Sequence, residues 1–159
     1  MLGVLKGLFK SKSERDYSKY GPLVEQVNEE FEKLKNLSHD ELRNMTLKFK
    51  ERIAEYLSDI DQEMASLRKQ ANETEDIHQK EELFKELDEL QKERDNHLEE
   101  VLNELLPQAF AVVKETAKRF ANNETLEVTA TEFDRLLSGT KEYVTLDGDK
   151  AIWSNSWDA

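Results

Sequence analysis

The sequence contains no cysteine, and only two prolines and five glycines occur among its 159 residues. Without cysteine the chain has no disulfide framework and no thiolate to act as a metal ligand or nucleophile. Scarce proline and glycine, together with a charged fraction of 36%, are typical of long solvated helices rather than of a β-sandwich or barrel. The length fits one domain with a core. We therefore predict a mainly α fold.

Two further absences restrict the function. No run approaches the roughly 18 apolar residues of a membrane-spanning helix. Lys6 and Lys10 interrupt the first apolar run, and no cleavage site of small residues follows it, which argues against a secretory signal peptide. The 35 acidic residues outnumber the 23 basic ones. We expect no nucleic-acid partner, because phosphate contacts need clustered Lys and Arg.

The first twelve residues, MLGVLKGLFKSK, are basic and apolar, whereas the whole chain has a net charge of −12. On a helical wheel their apolar side chains occupy an arc of roughly 160°. So short a segment with two glycines does not hold as a helix alone in water. It needs the body of the chain, a partner or an anionic membrane to fold on. The residues expected to bind a membrane or channel are Leu2, Val4, Leu5, Lys6, Leu8, Phe9 and Lys10.

The stretch that follows, from Ser11 to Lys19, is polar, and we interpret it as a connector. A Gly-Pro pair ends at Pro22, and because proline is favoured in the first turn of a helix, we predict a helix from there to about Asn36. Ser38 and Glu41 then have the spacing of a capping box, in which each side chain accepts a hydrogen bond from the backbone amide of the other. A new helix is predicted to begin there.

Apolar side chains then recur at alternating steps of three and four residues, which indicates a coiled-coil-like seam. They are Leu42, Met45, Phe49, Ile53, Tyr56, Ile60, Met64 and Leu67 in a first arm and Ile77, Phe84, Leu87, Leu98, Val101 and Leu105 in a second. Gln91 and Arg94 occupy seam positions. Two such arms fold back most economically on one another. We predict a long antiparallel helical hairpin with its turn near residues 71–75.

The last part of the chain changes in texture. Pro107 interrupts the helical pattern, so we predict a kink or a fresh helix start there. After Asn122, TLEVTAT alternates like a short strand and TEFDRLL resembles one or two capped turns. Two β-prone runs flank Asp147 and Gly148, a pair that is typical of a hairpin turn. We expect a small β-hairpin near the C-terminus.

The residue types of active sites are present, but not in working arrangements. Glu75 and His78 have the Glu-x-x-His spacing of a di-iron bundle, but that site needs the motif twice, and Arg94 occupies the matching place before His97. The glycines are scattered, whereas a phosphate-cradling loop needs them clustered. We expect no catalytic residue, no metal and no cofactor within these residues.

Three stretches together resemble the amino terminus of the SecA family, the ATP-driven motors of bacterial protein export. They are MLGVLKGLFKSKSERD, LSHDELRNMTLKFKERI and LLPQAFAVVKETAKRF. The third is the most specific, because its LLP-x-AFAVV-x-E run is close to a family signature. The resemblance covers roughly residues 1–56 and 102–120.

This resemblance divides the chain into parts. Residues 1–12 correspond to an amphipathic N-terminal helix, residues 13–56 and 102–120 to helices of the family, and residues 57–101 to a coiled-coil hairpin insertion. Residues 121–159 form a small α/β segment. In the family a nucleotide-binding domain follows, with a glutamine that reads adenine and then a glycine-rich phosphate loop. The chain stops before these features, so we expect a fragment of a longer motor.

The resemblance also implies a function. The opening segment is expected to attach the motor to anionic phospholipid and to the SecYEG channel, which predicts a cytoplasmic protein that is also peripheral on the cytoplasmic face of the inner membrane. The full-length protein is expected to use ATP and Mg²⁺ to drive preproteins through the channel. The fragment contributes no catalysis of its own, so its status as an enzyme stays open.

Two other hypotheses stay open from the residues alone. The first is a stand-alone coiled-coil interaction or scaffold module, whose arms bind a partner or form a homodimer. The second treats the opening segment as a bare membrane anchor for a scaffold. Both share the predicted hairpin, so the fold does not separate them from the attachment hypothesis.

Overall fold

The structure is a computed structural model that describes residues 12–156. Its elements are, in order, α1 (Lys12–Lys33), α2 (His39–Glu73), α3 (Ile77–Asn122), β1 (Thr125–Thr129), α4 (Glu132–Ser138), β2 (Val144–Asp147) and β3 (Lys150–Ser154). The described part is mainly helical and carries one small antiparallel sheet. This confirms the predicted fold class.

Two compact units divide the described residues. The first contains α1, α2 as far as Arg43, α3 from Pro107 onward, α4 and the sheet. The second spans Asn44–Leu106 and consists of the remaining parts of α2 and α3. Each unit has its own buried apolar cluster.

Helix α1 corrects one sequence prediction. The stretch up to Lys19, predicted to be a polar connector, is helical, and Pro22 lies inside α1 rather than at its start. Proline lacks the N–H that the helix would use, which disfavours interior positions. The apolar pattern nevertheless runs backward past Pro22 through Tyr20 and Tyr17 at helical spacing. The apolar spacing on both sides of the proline therefore favours a single continuous helix.

In the first unit, α1 packs against α3 and the start of α2. The buried members of this cluster are Leu34, Leu42 and Ala111, with Val27, Phe31, Leu37 and Val112 partly buried around them. At this contact α1 and α3 run in the same direction, because Lys114 bonds Asn28 near one end while Arg119 bonds Leu34 one to two turns further on.

The start of α2 forms the predicted capping box. Ser38 N donates to Glu41 Oε2 at 2.7 Å, and Glu41 N donates to Ser38 Oγ at 3.2 Å. Asp40, which lies between these two residues, accepts hydrogen bonds at 2.8 and 2.7 Å from the backbone N and the hydroxyl of Thr129. The first turn of α2 is thus bonded both to its own cap and to the end of β1.

The second unit is the predicted antiparallel hairpin. Cross-arm contacts join Arg52 to Glu104, Tyr56 to Glu100 and Asp61 to Arg94. Each step forward along α2 is matched by a step backward along α3, as antiparallel packing requires. The arms bury an apolar cluster of Met64, Leu67, Ala71, Leu83 and Leu87. Further buried seam residues are Leu57, Ile60, Val101 and Leu105.

The turn of the hairpin is shorter and slightly later than predicted, since only residues 74–76 separate α2 from α3. Ala71, at the start of the predicted turn, is helical and completely buried. Asp76, just before α3, caps its start, because its Oδ1 accepts a hydrogen bond from His78 N at 2.9 Å. Alanine is the strongest helix former, and its burial in the apolar cluster of the arms favours the extension of α2 past the predicted end.

Pro107 does not start a new helix, because α3 continues through it from Ile77 to Asn122. The predicted fresh start is therefore wrong. Leu105 and Ala111, on either side of the proline, are both buried. Tertiary packing of the apolar face outweighs the single hydrogen bond that the proline removes.

The small sheet has three strands in the order β1-β3-β2, all antiparallel. The predicted hairpin forms β2 and β3, and Gly148 supplies the positive φ of 61° in its turn. Strand β1 adds to the other side of β3, a pairing that the sequence prediction did not include. Leu126, Val144 and Ala151 are buried on one face of the sheet.

Candidate interaction surfaces

The residues predicted to bind a membrane or channel, Leu2 to Lys10, lie outside the described residues. Their predicted role therefore stays a prediction, and the described chain begins with Lys12, the first residue of α1. Among the helices of residues 12–156, none has a stretch long and apolar enough to cross a bilayer.

Helix α1, which follows directly, carries an apolar seam with two different halves. Its members, spaced by three and four residues, are Tyr17, Tyr20, Val24, Val27 and Phe31, and Leu34, the first residue after α1, continues the spacing. The C-terminal half belongs to the apolar cluster of the first unit, and Leu34 is only 6% exposed. The N-terminal half is open, with Tyr17 79%, Tyr20 49% and Val24 55% exposed. We call these last three residues the tyrosine face.

The C-terminal half of α1 is anchored by cations from α3. Lys114 Nζ donates to Asn28 Oδ1 at 2.7 Å and lies 4.3 Å from the centre of the Phe31 ring. Arg119 Nη2 donates to the backbone oxygens of Leu34 and Leu37, at 3.3 and 2.7 Å. Both carbonyls lie between α1 and α2, and Leu34 O also accepts from Leu37 N at 3.1 Å. Arg119 thereby holds this turn against α3.

Glu115 holds that arginine in place. It is only 4% exposed, and its Oε1 accepts from Arg119 Nε at 2.9 Å while Lys118 Nζ lies 3.5 Å from its Oε2. Burial alone raises the pKa of the carboxyl, but the hydrogen bond from Arg119 and the charges of Lys118 and Arg119 outweigh it and hold the pKa below its ordinary value. The ionised carboxylate of Glu115 therefore holds Arg119 in position, and we assign Glu115 no catalytic role.

A second buried carboxylate, Asp134, joins α4 to α2. Asp134 is completely buried. Arg43 Nη2 lies 2.8 Å from its Oδ1, and Arg43 Nη1 lies 2.8 Å from its Oδ2. Thr131 donates through its backbone N and its hydroxyl to Oδ2, and Trp153 Nε1 donates to Oδ1 at 3.1 Å. Burial raises the pKa of this carboxyl, yet the bonds from Arg43 and Thr131 prevail and lower it to about 2. This network locks α4 and β3 onto the start of α2.

An open groove of about 540 Å³ runs along the C-terminal half of α3 in the first unit. Apolar side chains dominate its lining, among them Val112, Val113, Ala117 and Phe120, and Asn155 closes one side. Val113 is 66% exposed. Its chemistry is that of a packing surface, because it contains no charged side chain.

The second unit presents a strongly acidic surface. Between Asn44 and Leu106 the sequence has 18 acidic and 9 basic residues. Cross-arm bonds use some of these charges: the hydrogen bond from Arg94, at 2.5 Å, lowers the pKa of Asp61, and the hydrogen bond to Glu100 raises the pKa of Tyr56. A groove between the arms, lined in part by half-exposed Phe84, adds a small apolar surface.

The structure places the two residues of the Glu-x-x-His motif in different elements. Glu75 lies in the turn between the arms, whereas His78 is in the first turn of α3. His97 stands edge-on to the Tyr56 ring, with 6.0 Å between ring centres. In the part of the chain that the structure describes, no group of three or more His, Asp or Glu side chains is arranged to hold a metal ion.

Sequence reasoning did not identify the tyrosine face or the Asp134 network. The first was hidden by treating residues 11–19 as a connector, although Tyr17 and Tyr20 continue the 3–4 spacing of Val24 and Val27. The second had only a local signal, the Thr131 cap of α4, which forms a capping box with Asp134. Nothing near Arg43 in the sequence indicates its partner 91 residues away.

Comparison with known proteins gives a consistent family. The profile of the SecA DEAD-like domain matches residues 5–140. Proteins called protein translocase subunit SecA are similar over nearly the whole chain. That of Christiangramia forsetii is 46% identical over 156 residues, which is 98% of this chain and 14% of the relative. That of Flavobacterium psychrophilum is 42% identical, with the same coverage.

A third relative, from Cytophaga hutchinsonii, is 46% identical over 99% of this chain and 14% of its own length. The chain thus spans about one seventh of the curated relatives that it matches. No solved structure matches it. The profile match covers the whole second unit, with both long helices of the hairpin, and the first unit as far as residue 140.

Proposed function

The chain belongs to the SecA family of protein translocase subunits, and we propose that it is the amino-terminal attachment region of a translocase motor. In this proposal residues 1–12 bind anionic phospholipid and the SecYEG channel at the cytoplasmic face of the inner membrane. The longer protein is cytoplasmic and peripheral, and it moves preproteins through the channel. The charge distribution carries the proposal, because residues 1–24 contain five basic and two acidic residues while the remainder contains 18 basic and 33 acidic ones.

Electrostatics makes this attachment selective. An anionic bilayer attracts each nearby lysine by about 1 kcal/mol and repels the acidic remainder of the chain. Insertion of the apolar side chains adds about 0.8 kcal/mol for each buried methylene. Leu2, Leu5, Leu8 and Phe9 provide such side chains, and Lys6 stands among them. The basic amino-terminal part of the chain, rather than the acidic remainder, therefore makes the contact.

The contacts within the first unit support a role in transmitting the attachment of residues 1–12 to the rest of that unit. The C-terminal half of α1 is fixed to α3 by Lys114 and Arg119, and the start of α2 is fixed to the sheet and α4 by Asp40 and Arg43. A segment attached directly ahead of α1 thus connects to a bonded framework. Attachment of residues 1–12 constrains the position of this unit.

ATP hydrolysis belongs, in this proposal, to the part of the relatives that the chain does not span. The described glycines do not fit a phosphate-cradling loop, because Gly21 lies inside α1, Gly139 follows the last turn of α4 and Gly148 lies in the β2-β3 turn. Such a loop needs clustered glycines followed by a lysine and a hydroxyl. We assign ATP and Mg²⁺ to the longer protein and no step to the residues described here.

Vesicle flotation tests the attachment. The complete chain is compared with a variant that begins at Ser13, on anionic and on zwitterionic vesicles. We expect the complete chain to float with anionic vesicles only and the shortened chain to stay in the buffer. Equal flotation of both chains with anionic vesicles contradicts the proposed role of residues 1–12.

A second candidate function is supported by the acidic second unit. As a stand-alone interaction module, the chain would use its arms to bind a partner or to form a homodimer. The excess of acidic residues between Asn44 and Leu106 and the half-exposed Phe84 favour a contact surface there. Analytical ultracentrifugation separates the candidates: a dimer that persists at every concentration favours the module, and a monomer favours attachment.

A further inference from the structure

The C-terminal half of α3 has two apolar faces, and one of them is largely open within residues 12–156. Ala111 is completely buried in the cluster with α1 and α2. On the other side of the helix, Phe110, Val113, Ala117 and Phe120 recur at steps of three and four residues, and Phe110 is 54% and Val113 66% exposed. The open groove along this face, which we call the α3 groove, is lined by Val112, Val113, Thr116, Ala117, Phe120 and Ala121. Such a face is typical of a helix that packs against a further apolar group.

The chain that leaves β3 is held at this groove. Asn155, which follows β3, lines one side of the groove. Its N donates to Glu124 O at 2.9 Å, and its Nδ2 donates to Phe120 O at 3.4 Å. Phe120 O belongs to the last turn of α3, where carbonyls have no helical partner. The next residue, Ser156, bonds back to Ser154 through its N, at 3.1 Å. These bonds fix the point from which the following residues start.

We propose that the α3 groove is the docking site of Trp157, which lies outside the described residues and follows Asn155 by two positions. Two residues of extended chain span about 7 Å, so the indole starts within reach of the groove. A docked Trp157 ties the chain beyond β3 to the helix that also holds α1 through Lys114 and Arg119. The inference goes beyond the membrane attachment proposed above and does not depend on it.

The chemistry of the groove suits one large aromatic side chain. Its lining contains no charged side chain, and its volume is about 540 Å³, within the range of about 300–1,000 Å³ of sites that hold small organic groups. A tryptophan buries about 150–250 Å² of surface, and the Phe120 ring offers it an aromatic partner. A buried indole N–H needs an acceptor, and Thr116, a residue of the lining, carries a hydroxyl that can accept it.

A second copy of the chain fits the α3 groove less well. A stable interface between proteins buries about 800 Å² on each partner, and two copies repel one another because each has a net charge of −12. Trp157 meets neither obstacle. It is tethered beside the groove, and a ligand on so short a tether acts at an effective concentration on the order of millimolar.

Tryptophan fluorescence of the complete chain tests the docking, because the sequence contains two tryptophans. Trp153 bonds Asp134 and is present in both the unmodified chain and the Trp157→Ser variant. Subtraction of the variant's spectrum from that of the unmodified chain therefore gives the emission of Trp157. We expect this emission to be blue-shifted from that of free tryptophan and to be quenched less by acrylamide. Emission and quenching equal to those of free tryptophan overturn the proposal.

A matched pair of alanine variants locates the docked ring. Ala117→Glu puts a charge into the α3 groove, whereas Ala54→Glu puts one on an exposed position of α2. Both alanines are exposed, so both variants keep their fold, which circular dichroism checks. The same subtraction of spectra is made in each variant.

We expect Ala117→Glu to move the Trp157 emission to that of free tryptophan and Ala54→Glu to leave it blue-shifted. An emission of Trp157 that Ala117→Glu does not change overturns the groove as its site. A blue shift that disappears on dilution overturns the proposal in favour of a second copy. None of these measurements involves vesicles, so they stand or fall apart from the attachment of residues 1–12.

Discussion

Arg43 Nη2 donates a hydrogen bond of 2.8 Å to Asp134 Oδ1, and Arg43 Nη1 forms an ion pair of 2.8 Å with Asp134 Oδ2, across 91 residues of sequence. Asp134 is completely buried, whereas the arginine side chain is 31% exposed. Thr131 and Trp153 bond the same carboxylate. The pair thus joins the start of α2 to the segment that contains α4 and the sheet, and it makes the first unit a single bonded framework.

Removal of the arginine is expected to destabilise this unit. Arg43→Ala leaves a buried carboxylate without its cation, and we expect the free energy of unfolding to fall by about 3 kcal/mol. Denaturant unfolding measures the change. Arg135→Ala, an exposed arginine on α4, is the control and is expected to stay within about 0.5 kcal/mol of the unmodified chain. Equal, small effects of both variants would show that the pair contributes little.

The same carboxylate predicts an acid-sensitive stability. Its pKa is about 2 in the folded chain, against an ordinary value of 3.8. Because the folded pKa is the lower one, the ionised group stabilises the fold fully above about pH 4 and loses this contribution as the pH falls toward 2. The loss amounts to about 2.5 kcal/mol. We expect the stability advantage of the unmodified chain over Asp134→Asn to shrink by about 2 kcal/mol between pH 5 and pH 2, because half of the folded carboxyl is still ionised at pH 2. Parallel curves would contradict the assignment.

The hairpin turn of the sheet offers a matched pair of glycines. Gly148 has a φ of +61°, while Gly139 has a φ of −77°. An alanine is strained only at the positive angle, so we expect Gly148→Ala to lower the free energy of unfolding by about 1 kcal/mol. Gly139→Ala should be close to neutral, because its Cβ would make only an ordinary contact of 3.6 Å. Equal thermal midpoints for the two variants would argue against this turn geometry.

In the second unit, the apolar cluster between the arms is expected to dominate stability. Leu87 is 6% exposed, and Leu87→Ala should cost about 3 kcal/mol through lost burial and a residual cavity. Leu102, on the same helix, is 47% exposed, and Leu102→Ala should cost less than about 1 kcal/mol. Denaturant titration followed by circular dichroism compares them. A larger loss for Leu102→Ala would contradict the described packing.

Local patterns carried most of what the sequence revealed of the fold. The capping box of Ser38 and Glu41 depends on residues three apart, and the antiparallel hairpin follows from an apolar seam that repeats along each arm. The β2-β3 hairpin also depends on adjacent residues, since Gly148 can adopt the positive φ of the turn. Each of these features is determined by residues that are close together in the sequence.

The remaining features depend on contacts between distant segments. The pairing of β1 with β3 and the bond between Arg43 and Asp134 join parts of the chain that no short-range pattern connects. Pro22 and Pro107 predicted interruptions that tertiary packing overrides. The tyrosine face has a local signal and was missed because the predicted boundary at Pro22 divided a seam that is continuous in α1.

The most direct test changes two lysines to glutamates at either of two places in the chain and compares the membrane binding of the two variants. Lys6→Glu/Lys10→Glu and Lys48→Glu/Lys50→Glu alter the net charge equally, and the second pair is exposed on α2. Loss of two lysines from a lipid contact lowers partition onto anionic vesicles about thirtyfold, and the added acidic charges lower it further. We predict this loss for the first pair and nearly unchanged binding for the second. Equal binding by the two variants would contradict the claim that the opening segment attaches the chain to the membrane.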